Sequence, residues 1–337
     1  MSEKKIITKT EDDVYIDQAL RPQRWDDYVG QEKVKRNLKT LLDAAKKRSE
    51  PSDHILFYGQ AGLGKTTLAC LVAKEMGSNL KITSGPALEK MGDLAAILSN
   101  LEKGDVLFID EAHRLNRMIE EVLYPALESR KLHLVVGKGP GARTLSIDLP
   151  AFTLVAATTR ANLLSGPLRS RFGASYKLDY YKVEDIEKII ARSAELLKVS
   201  ICEQAIKIIA RAARFTPRTA NRLLKRVRDY SEVNDLESIT EEAAEKTLEM
   251  LEVDNMGLEP TDRQLLMTII EKFHGGPVGI QTLAAAMNDD RGIIEDVYEP
   301  YLMSIGLLLR TPSGRVVAPE AYKHLGVKIP EDGGLFY

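Results

Sequence analysis

The chain has 337 residues, of which 44% are hydrophobic and 28% are charged, and its formal net charge is −2. This length is enough for two or three globular domains. The near-neutral charge excludes a protein that binds nucleic acid through a global positive field, so any DNA contact must come from local patches.

No apolar run is long enough to cross a bilayer and no secretory signal is evident, so the sequence predicts a cytoplasmic protein without membrane contact. Cys70 and Cys202 stand alone in segments with helical patterns. They are predicted to be reduced core thiols, because isolated cysteines form neither a disulfide framework nor a metal site.

The stretch "FYGQAGLGKTTLA" follows an apolar, strand-like run and leads into "TTLACLVAKEM", whose apolar residues have helical spacing. It fits the P-loop pattern G-x-x-x-x-G-K-[ST], in which backbone N–H groups surround a phosphate at a helix N-terminus. Lys65 is predicted to reach the β- and γ-phosphates and Thr66 to bind Mg²⁺. The predicted nucleotide contacts in this loop are Gly62, Gly64, Lys65, Thr66 and Thr67.

Two later strands are predicted to complete the phosphate site. "GDVLFIDEAHRL" ends its apolar run at Asp110 and Glu111, and a second strand of a P-loop protein delivers a carboxylate beside the Mg²⁺. Asp110 is therefore predicted to bind the metal and Glu111 to polarise the attacking water. "FTLVAATTRANLL" is a further apolar strand, and Thr159 at its end is predicted to sense the γ-phosphate.

Arginines occupy two positions where they could act on the nucleotide. "GPLRSRFG" places Arg169 and Arg171 before a Phe-Gly turn, where an arginine can enter a neighbouring protomer's site and stabilise the transferred phosphoryl group. "RFTPRTANRLL" places Arg218 near the start of a helix in a small helical domain, where it can contact the γ-phosphate. Position alone leaves open whether these arginines do so or are solvated surface charges.

Residues 130–150 are predicted to form a partly apolar β-hairpin. "LHLVV" and "TLSID" are strand-like runs on either side of the turn sequence "GKGPGA". An exposed apolar hairpin usually has a partner. Packing of the hairpin on its own domain is the alternative.

The region after about residue 255 is predicted to be a winged-helix domain, with three helices followed by strand, turn and strand in "LLRTPSGRVVAP". From Met256 to Tyr337 it carries seven Lys/Arg against eleven Asp/Glu, which opposes broad phosphate binding. Only Arg291, Arg310 and Arg315 are suitably placed to contact DNA. A protein-binding wing is the alternative.

These segments, in this order, resemble the AAA+ ATPases and, more specifically, the RuvB family of bacterial Holliday-junction branch-migration motors. The resemblance runs from about residue 19 to residue 326. It is carried by "LRPQRWDDYVGQ", the hairpin stretch, "GPLRSRFG", "TPRTANRLL" and "IEDVYEPYLMSIGLLLRTPSGR".

The resemblance implies roles that the residues alone leave open. It implies that Arg171 is the finger that acts in trans, that Thr159 and Arg218 are the sensors, and that the nucleotide is ATP. It further implies nucleotide contacts at Leu20, Arg21, Tyr181, Glu128, Ser129 and Arg130. The last three read "ESR", where the family more usually has an acidic pair followed by an aromatic residue.

The resulting fold prediction is an α/β AAA+ P-loop domain with a parallel sheet (residues 1–181), a small helical lid domain (182–254) and a winged-helix head domain (255–337). The resemblance implies an ATP hydrolase that migrates Holliday junctions in DNA recombination, DNA repair and the SOS response. Its implied partners are RuvA, bound through the hairpin, RuvC in a larger assembly, and five further copies in a homohexameric ring.

Two other functions are weaker alternatives. A clamp-loader-like ATPase would share the P-loop, sensors and finger, but it would lack the hairpin and the winged-helix domain. A winged-helix transcription regulator with an ATPase domain usually carries a "GAFTGA" loop, which this sequence lacks.

Overall fold

The computed structural model describes residues 19–136 and 143–329. Within that range the chain forms two compact units. The first runs to Asp185 and also includes Thr216–Arg218, and the second comprises Ile186–Phe215 and the residues from Thr219 onward. None of the helices in the described ranges combines the length and apolar character needed to cross a membrane.

The first unit is an α/β domain. Its helices and strands, in chain order, are α1 Glu32–Arg48, β1 Ile55–Tyr58, α2 Lys65–Met76, β2 Leu80–Ser84, α3 Met91–Ser99, β3 Val106–Asp110, α4 Arg117–Glu128, β4 Lys131–Val136, β5 Arg143–Asp148, β6 Thr153–Thr158, α5 Gly166–Ser170 and β7 Ala174–Lys177.

Five of these strands form one parallel sheet with the order β2-β3-β6-β1-β7. Every residue of β6 is buried, as expected for a parallel strand covered on both faces. Because all five strands point the same way, the carboxyl ends of β1, β6 and β3 meet at one edge of the sheet. Ligands of open α/β sheets bind at that edge.

Strands β4 and β5 pair separately as an antiparallel hairpin, in register from Lys131 opposite Asp148 to Val136 opposite Arg143. Leu132 is fully buried in the domain core, whereas Leu145 is 51% exposed. The predicted strands of the hairpin are confirmed. The predicted turn "GKGPGA" lies at residues 137–142, outside the described residues.

The second unit joins the helical lid to the winged-helix domain. Its elements are α6 Val183–Leu196, which starts in the first unit, α7 Glu203–Ala212, α8 Pro217–Val233, α9 Glu241–Met250, α10 Pro260–Phe273, α11 Ile280–Met287, α12 Arg291–Ile293, a π-helical turn Ile294–Tyr298, α13 Glu299–Ser304, β8 Leu308–Thr311, β9 Gly314–Val317 and α14 Pro319–Leu325.

Two local expectations from the sequence are wrong. The third helix of the winged-helix domain is interrupted by a π-helical turn just before Pro300, whose nitrogen cannot donate the hydrogen bond that an α-helix requires there. Cys202 is exposed rather than in the core. It caps α7, and its sulfur accepts a hydrogen bond from the N–H of Ala205 at 3.4 Å.

His54 joins two elements beside the central sheet. Its Nδ1 accepts a hydrogen bond from the N–H of Leu154 at 2.9 Å, and its Nε2 lies 3.3 Å from the carbonyl oxygen of Leu127. The neutral ring with a proton on Nε2 satisfies both contacts. Burial lowers the pKa of His54 below its ordinary value of 6.5, although the Leu127 contact acts in the opposite direction.

We therefore expect acid to destabilise the protein through His54. The unfolded chain takes up a proton on this residue near pH 6.5, whereas the folded chain takes it up only at lower pH. The free energy of unfolding should fall as the pH drops below 6.5, by at most about 1.4 kcal/mol per pH unit. An NMR titration of the His54 ring would check this, and a midpoint at or above 6.5 would contradict it.

Candidate nucleotide site and nucleic-acid interface

The loop after β1 turns tightly before α2 begins at Lys65. Gly64 is the N-cap of α2, and its φ of 91° is one that glycine adopts readily. A Cβ at this position would lie 2.8 Å from the hydroxyl oxygen of Tyr28. Glycine at this position therefore lets the loop adopt its conformation beneath the Tyr28 hydroxyl.

Lys65 is drawn into this loop and is only 8% exposed. Its amino group donates hydrogen bonds to the carbonyl oxygens of Gly59 at 2.9 Å and Gln60 at 2.7 Å. Its pKa is lowered to about 8, mainly by burial; the Asp110 charge acts in the opposite direction, and the Arg218 charge contributes to the lowering. A buried cation held by carbonyl oxygens is well suited to bind a phosphate.

Thr66 and Asp110 lie together, as predicted for a metal site. The Thr66 hydroxyl donates to Asp110 Oδ2 at 3.3 Å, which joins the first turn of α2 to the end of β3. Hydroxyl and carboxylate oxygens are ligands that Mg²⁺ accepts, and Mg²⁺ commonly uses one or two carboxylates together with substrate phosphates. Thr67 is half-buried in the same helical turn. The residues present therefore fit a Mg²⁺–nucleotide complex.

Glu111 has a strained backbone, with a φ of 49°. Its N–H donates to Asp110 Oδ1 at 2.8 Å, and its carboxylate pairs with Arg114 at 3.2 Å. The carbonyl oxygen of Glu111 lies so close to Gly85 that a Cβ there would be 2.4 Å away. A side chain on Gly85, which follows β2, would therefore displace Glu111, and this contact was not predicted from the sequence.

The end of β6 contributes two neighbouring threonines. Thr158 is buried, and its hydroxyl lies 3.0 Å from Nδ1 of His113, the histidine of "DEAH". Thr159, the predicted sensor, follows β6 and is half-buried. His113 thus links the loop after β3 to the end of β6, a role that its position in the sequence did not reveal.

Arg171 and the segment from Glu128 to Arg130 lie together in the structure. Arg171 follows α5, and its Nη2 donates to Glu128 Oε2 at 2.9 Å while its Nη1 donates to the Ser170 hydroxyl at 3.1 Å. Ser129 caps the C-terminus of α4, and Arg130 has a φ of 54°. Within one protomer, the predicted finger is therefore held by a residue of the predicted nucleotide-contact segment.

Two tyrosines pack behind the phosphate loop. The Tyr181 hydroxyl donates to that of Tyr28 at 3.0 Å, and both lie within 3.4 Å of the carbonyl oxygen of Leu63. Burial raises the pKa of Tyr181 to about 12. Tyr28 was not among the predicted site residues, and its only signal was its position eight residues after Leu20 in "LRPQRWDDYVGQ".

Three further predicted contacts belong to the first unit. Leu20 is 3% exposed, and Arg21 beside it is half-buried. Arg218 is exposed and lies beside the phosphate loop, because a Cβ on Gly62 would be 3.1 Å from the Cβ of Arg218. The structure therefore brings Arg218 next to Gly62, as expected for a residue that contacts the nucleotide.

The winged-helix arginines differ in exposure. Arg291 and Arg310 are exposed, and Arg291 pairs with Glu295 at 3.2 Å. Arg315 is only 6% exposed, and its Nε donates to Glu299 Oε1 at 2.6 Å. This burial corrects the expectation that Arg315 is free to contact DNA.

The strand that carries Arg315 has backbone partners on both edges. Strand β9 pairs with β8 on one side, and on the other side Arg315 exchanges two backbone hydrogen bonds with Val278, of 2.8 and 3.0 Å. The side chain is directed into the domain, where its Nη2 also approaches Glu295 Oε1 at 3.3 Å. The sequence places Arg315 in the wing but does not show that β9 has a backbone partner on each of its two edges.

Comparison with known proteins agrees with this architecture. Residues 20–178 match the P-loop domain of the Holliday junction DNA helicase RuvB, residues 181–254 the RuvB AAA lid domain, and residues 255–326 the RuvB C-terminal winged-helix domain. The chain belongs to the RuvB family.

Solved structures of a RuvB protein are also similar to this chain. The Thermotoga maritima RuvB Holliday junction branch migration motor is 49% identical, with a TM-score of 0.86, over 93% of this chain and 100% of that one. An arginine-to-alanine variant of the same protein is 49% identical, with a TM-score of 0.85, over 92% and 99%. The fold prediction, an AAA+ P-loop domain with a lid and a winged-helix domain, is confirmed.

Gly85→Ala should impair turnover more than nucleotide binding. A Cβ at Gly85 would meet the Glu111 carbonyl oxygen at 2.4 Å and displace the predicted base. We expect kcat for ATP hydrolysis to fall by about 10²-fold, because small misplacements of a catalytic group have effects of that size. Gly92→Ala is the matched control, since a Cβ there meets nothing within 4 Å. Equal kcat in the two variants would contradict the positioning role.

Arg315→Ala should destabilise the winged-helix domain, because it leaves Glu299, which is 2% exposed, as an unpaired buried charge. The expected loss is about 3–5 kcal/mol of unfolding free energy. Arg310→Ala should leave stability within about 0.5 kcal/mol of wild type, because Arg310 is exposed. Urea unfolding of the two variants measures the difference, and similar midpoints would show that the Arg315–Glu299 pair is not needed for stability.

Proposed function

We propose that this protein is an ATP-driven motor that moves Holliday junctions along DNA during recombination and repair. The observation that carries the proposal is the pairing of Thr66 with Asp110 beside the buried Lys65, in a chain of the RuvB family. That arrangement fits a Mg²⁺–ATP complex. A clamp-loader function is disfavoured because the chain has both the hairpin and the winged-helix domain.

The residues of the site divide the work of hydrolysis. Thr66 and Asp110 are the residues that would hold Mg²⁺, which would supply positive charge to offset that of the phosphates. Lys65 exchanges its carbonyl partners for phosphate oxygens. Glu111 holds the attacking water and accepts its proton, and Thr159 orients that water toward the γ-phosphate. Leu20, Arg21 and Tyr181 hold the nucleotide at its other end.

The site is completed by a neighbouring subunit in a homohexameric ring. Arg171 is partly exposed after the short helix α5, and its charge is held by Glu128, itself exposed. Exposed ion pairs of this kind contribute little free energy, so the pair can open when another subunit offers a phosphate. Arg171 is then the finger that stabilises charge in the transition state, and Glu128 to Arg130 contribute from the same protomer face.

The partners are proposed from the hairpin and the head. RuvA would bind the hairpin, whose β5 exposes Leu145 and whose strands lie outside the main sheet. RuvC would join the larger assembly, and the complex would act in the cytoplasm. DNA would be contacted by Arg291 and Arg310 through phosphates, because a motor that moves along any sequence cannot depend on base readout.

The proposal is tested with the full-length protein, RuvA and a synthetic four-way junction. Wild type with RuvA and ATP should dissociate the junction, and Lys65→Ala should not. Arg171→Ala should bind ATP normally but hydrolyse it about 10³-fold more slowly or worse, because a finger acts on the transition state. Hydrolysis without any dissociation by the wild-type protein would contradict the motor function.

A mixing experiment tests whether Arg171 acts in trans. Lys65→Ala subunits retain the finger and lack a working site, whereas Arg171→Ala subunits retain the site and lack the finger. If the finger enters the neighbour's site, mixing the two inactive proteins should restore part of the hydrolysis at mixed interfaces. No recovery in rings shown to contain both variants would contradict the proposed role.

A further inference from the structure

Two residues shortly before the predicted sensor Arg218 have an unusual backbone. Arg214 and Phe215 follow α7 with φ values of 52° and 53°, so two consecutive non-glycine residues are left-handed. This conformation is unfavourable for residues with a Cβ and persists where surrounding contacts hold it. Such strain is concentrated at functional sites.

Arg214 is anchored in the winged-helix domain. Its Nη1 and Nη2 donate to Asp262 Oδ2 at 3.2 Å and Oδ1 at 3.3 Å. Its guanidinium carbon lies 4.4 Å from the centre of the Tyr301 ring. Asp262, in the first turn of α10, is only 1% exposed. A planar guanidinium can pair with a carboxylate through two hydrogen bonds and stack on an aromatic ring at the same time, whereas a lysine ammonium cannot.

Phe215 is anchored in the same place. Its ring centre lies 6.0 Å from that of Tyr301, with 54° between the planes, and it packs against the apolar core of the winged-helix domain. The Tyr301 hydroxyl in turn donates to the carbonyl oxygen of Met256, in the linker after the lid, at 2.5 Å. Both strained residues of the lid are therefore held by the head.

The linker between the lid and the head is also fixed, by hydrogen bonds and by close packing. Oδ1 of Asp254 accepts hydrogen bonds from the N–H groups of Met256 and Leu258, both at 2.9 Å, and its Oδ2 lies 2.7 Å from Nε2 of His324. A Cβ on Gly257 would be 2.5 Å from the carbonyl oxygen of Ala212, at the end of α7. Within the second unit, lid and head are thus joined at several points rather than by a loose connection.

The chain continues directly from this anchor to the nucleotide-binding unit. Thr216–Arg218 belongs to the first unit, and Arg218 lies beside Gly62 of the phosphate loop. A single peptide bond joins Phe215 to Thr216. Arg218 therefore lies only three residues along the chain from Phe215, whose ring is seated in the head.

We propose that Arg214 is a positioning residue, which Asp262 and Tyr301 hold so that movement of Arg218 with nucleotide state is passed to the DNA-contacting head. The proposal deepens the motor function and rests on it. Arg214 does not touch the reacting atoms. Its loss should leave hydrolysis intact and reduce the mechanical work obtained from it.

The test measures junctions dissociated per ATP hydrolysed by the full-length protein with RuvA. Arg214→Gln is expected to lower that ratio by about tenfold, within the usual range of coupling between sites, while ATP hydrolysis stays within about twofold of wild type. Arg214→Lys keeps a positive charge beside Asp262 and should have an intermediate ratio. It serves as a second variant in case Arg214→Gln fails to fold.

Arg222→Gln is the matched control. Arg222 is also an arginine of the lid that pairs with the head, through Glu259 at 2.5 Å, but its side chain is 54% exposed. An exposed ion pair of this kind contributes little free energy. The number of junctions that Arg222→Gln dissociates per ATP hydrolysed should therefore equal that of wild type. An unchanged ratio in both Arg214 variants would overturn the proposal, as would an equal loss in Arg222→Gln.

Hydrogen exchange supplies a readout that does not depend on motor activity. Adding ADP or a non-hydrolysable ATP analogue should change amide exchange in α10 of wild type and Arg222→Gln, but not in Arg214→Gln. The same change in Arg214→Gln would overturn the proposed coupling. Wild-type protein that shows this change in α10 and yet never dissociates a junction would overturn the motor function while supporting the coupling role of Arg214.

Discussion

Strand β6 pairs in parallel with β1 on one side and β3 on the other, and the nucleotide site depends on that pairing. It brings the phosphate loop after β1, the Asp110 carboxylate at the end of β3 and Thr159 after β6 to one edge of the sheet. The Thr66–Asp110 hydrogen bond is possible only because of this register. An antiparallel neighbour would place one of these segments at the opposite edge, far from the others.

Buried charges recur in both units, and each is placed against partners. Lys65 donates to two carbonyl oxygens, Arg315 pairs with two glutamates, and the buried Asp262 pairs with the half-buried Arg214. Moving a charge from water into the protein interior costs free energy, and well-placed partner atoms must offset that cost. The Lys65 partners are carbonyl oxygens of the phosphate loop itself, whereas those of Arg315 and Arg214 belong to the packing of the head. The arrangement around Lys65 therefore suits ligand binding, whereas those around Arg315 and Arg214 suit rigid positioning.

Much of the site could be predicted from local sequence. The P-loop spacing, the acidic end of β3 and the hydroxyls after β6 are read within single segments, and the structure brings them together. The predictions failed where a residue's neighbours in space belong to segments far away in the chain. Arg315 is buried because its side chain packs against Glu299, 16 positions earlier, and the crowding of Glu111 comes from Gly85, 26 positions earlier. Neither neighbour could be identified from local spacing.

The sequence by itself determined the classes of the elements and the chemistry of the phosphate loop, because helical spacing, glycine placement and strand-like runs act over short distances. It also showed that the chain resembles the RuvB family. Only the tertiary structure decided which arginines are exposed, which tyrosines support the loop, and that two left-handed residues of the lid are held by the head. Those features depend on contacts between segments far apart in the chain, where packing rather than local preference determines each side chain's environment.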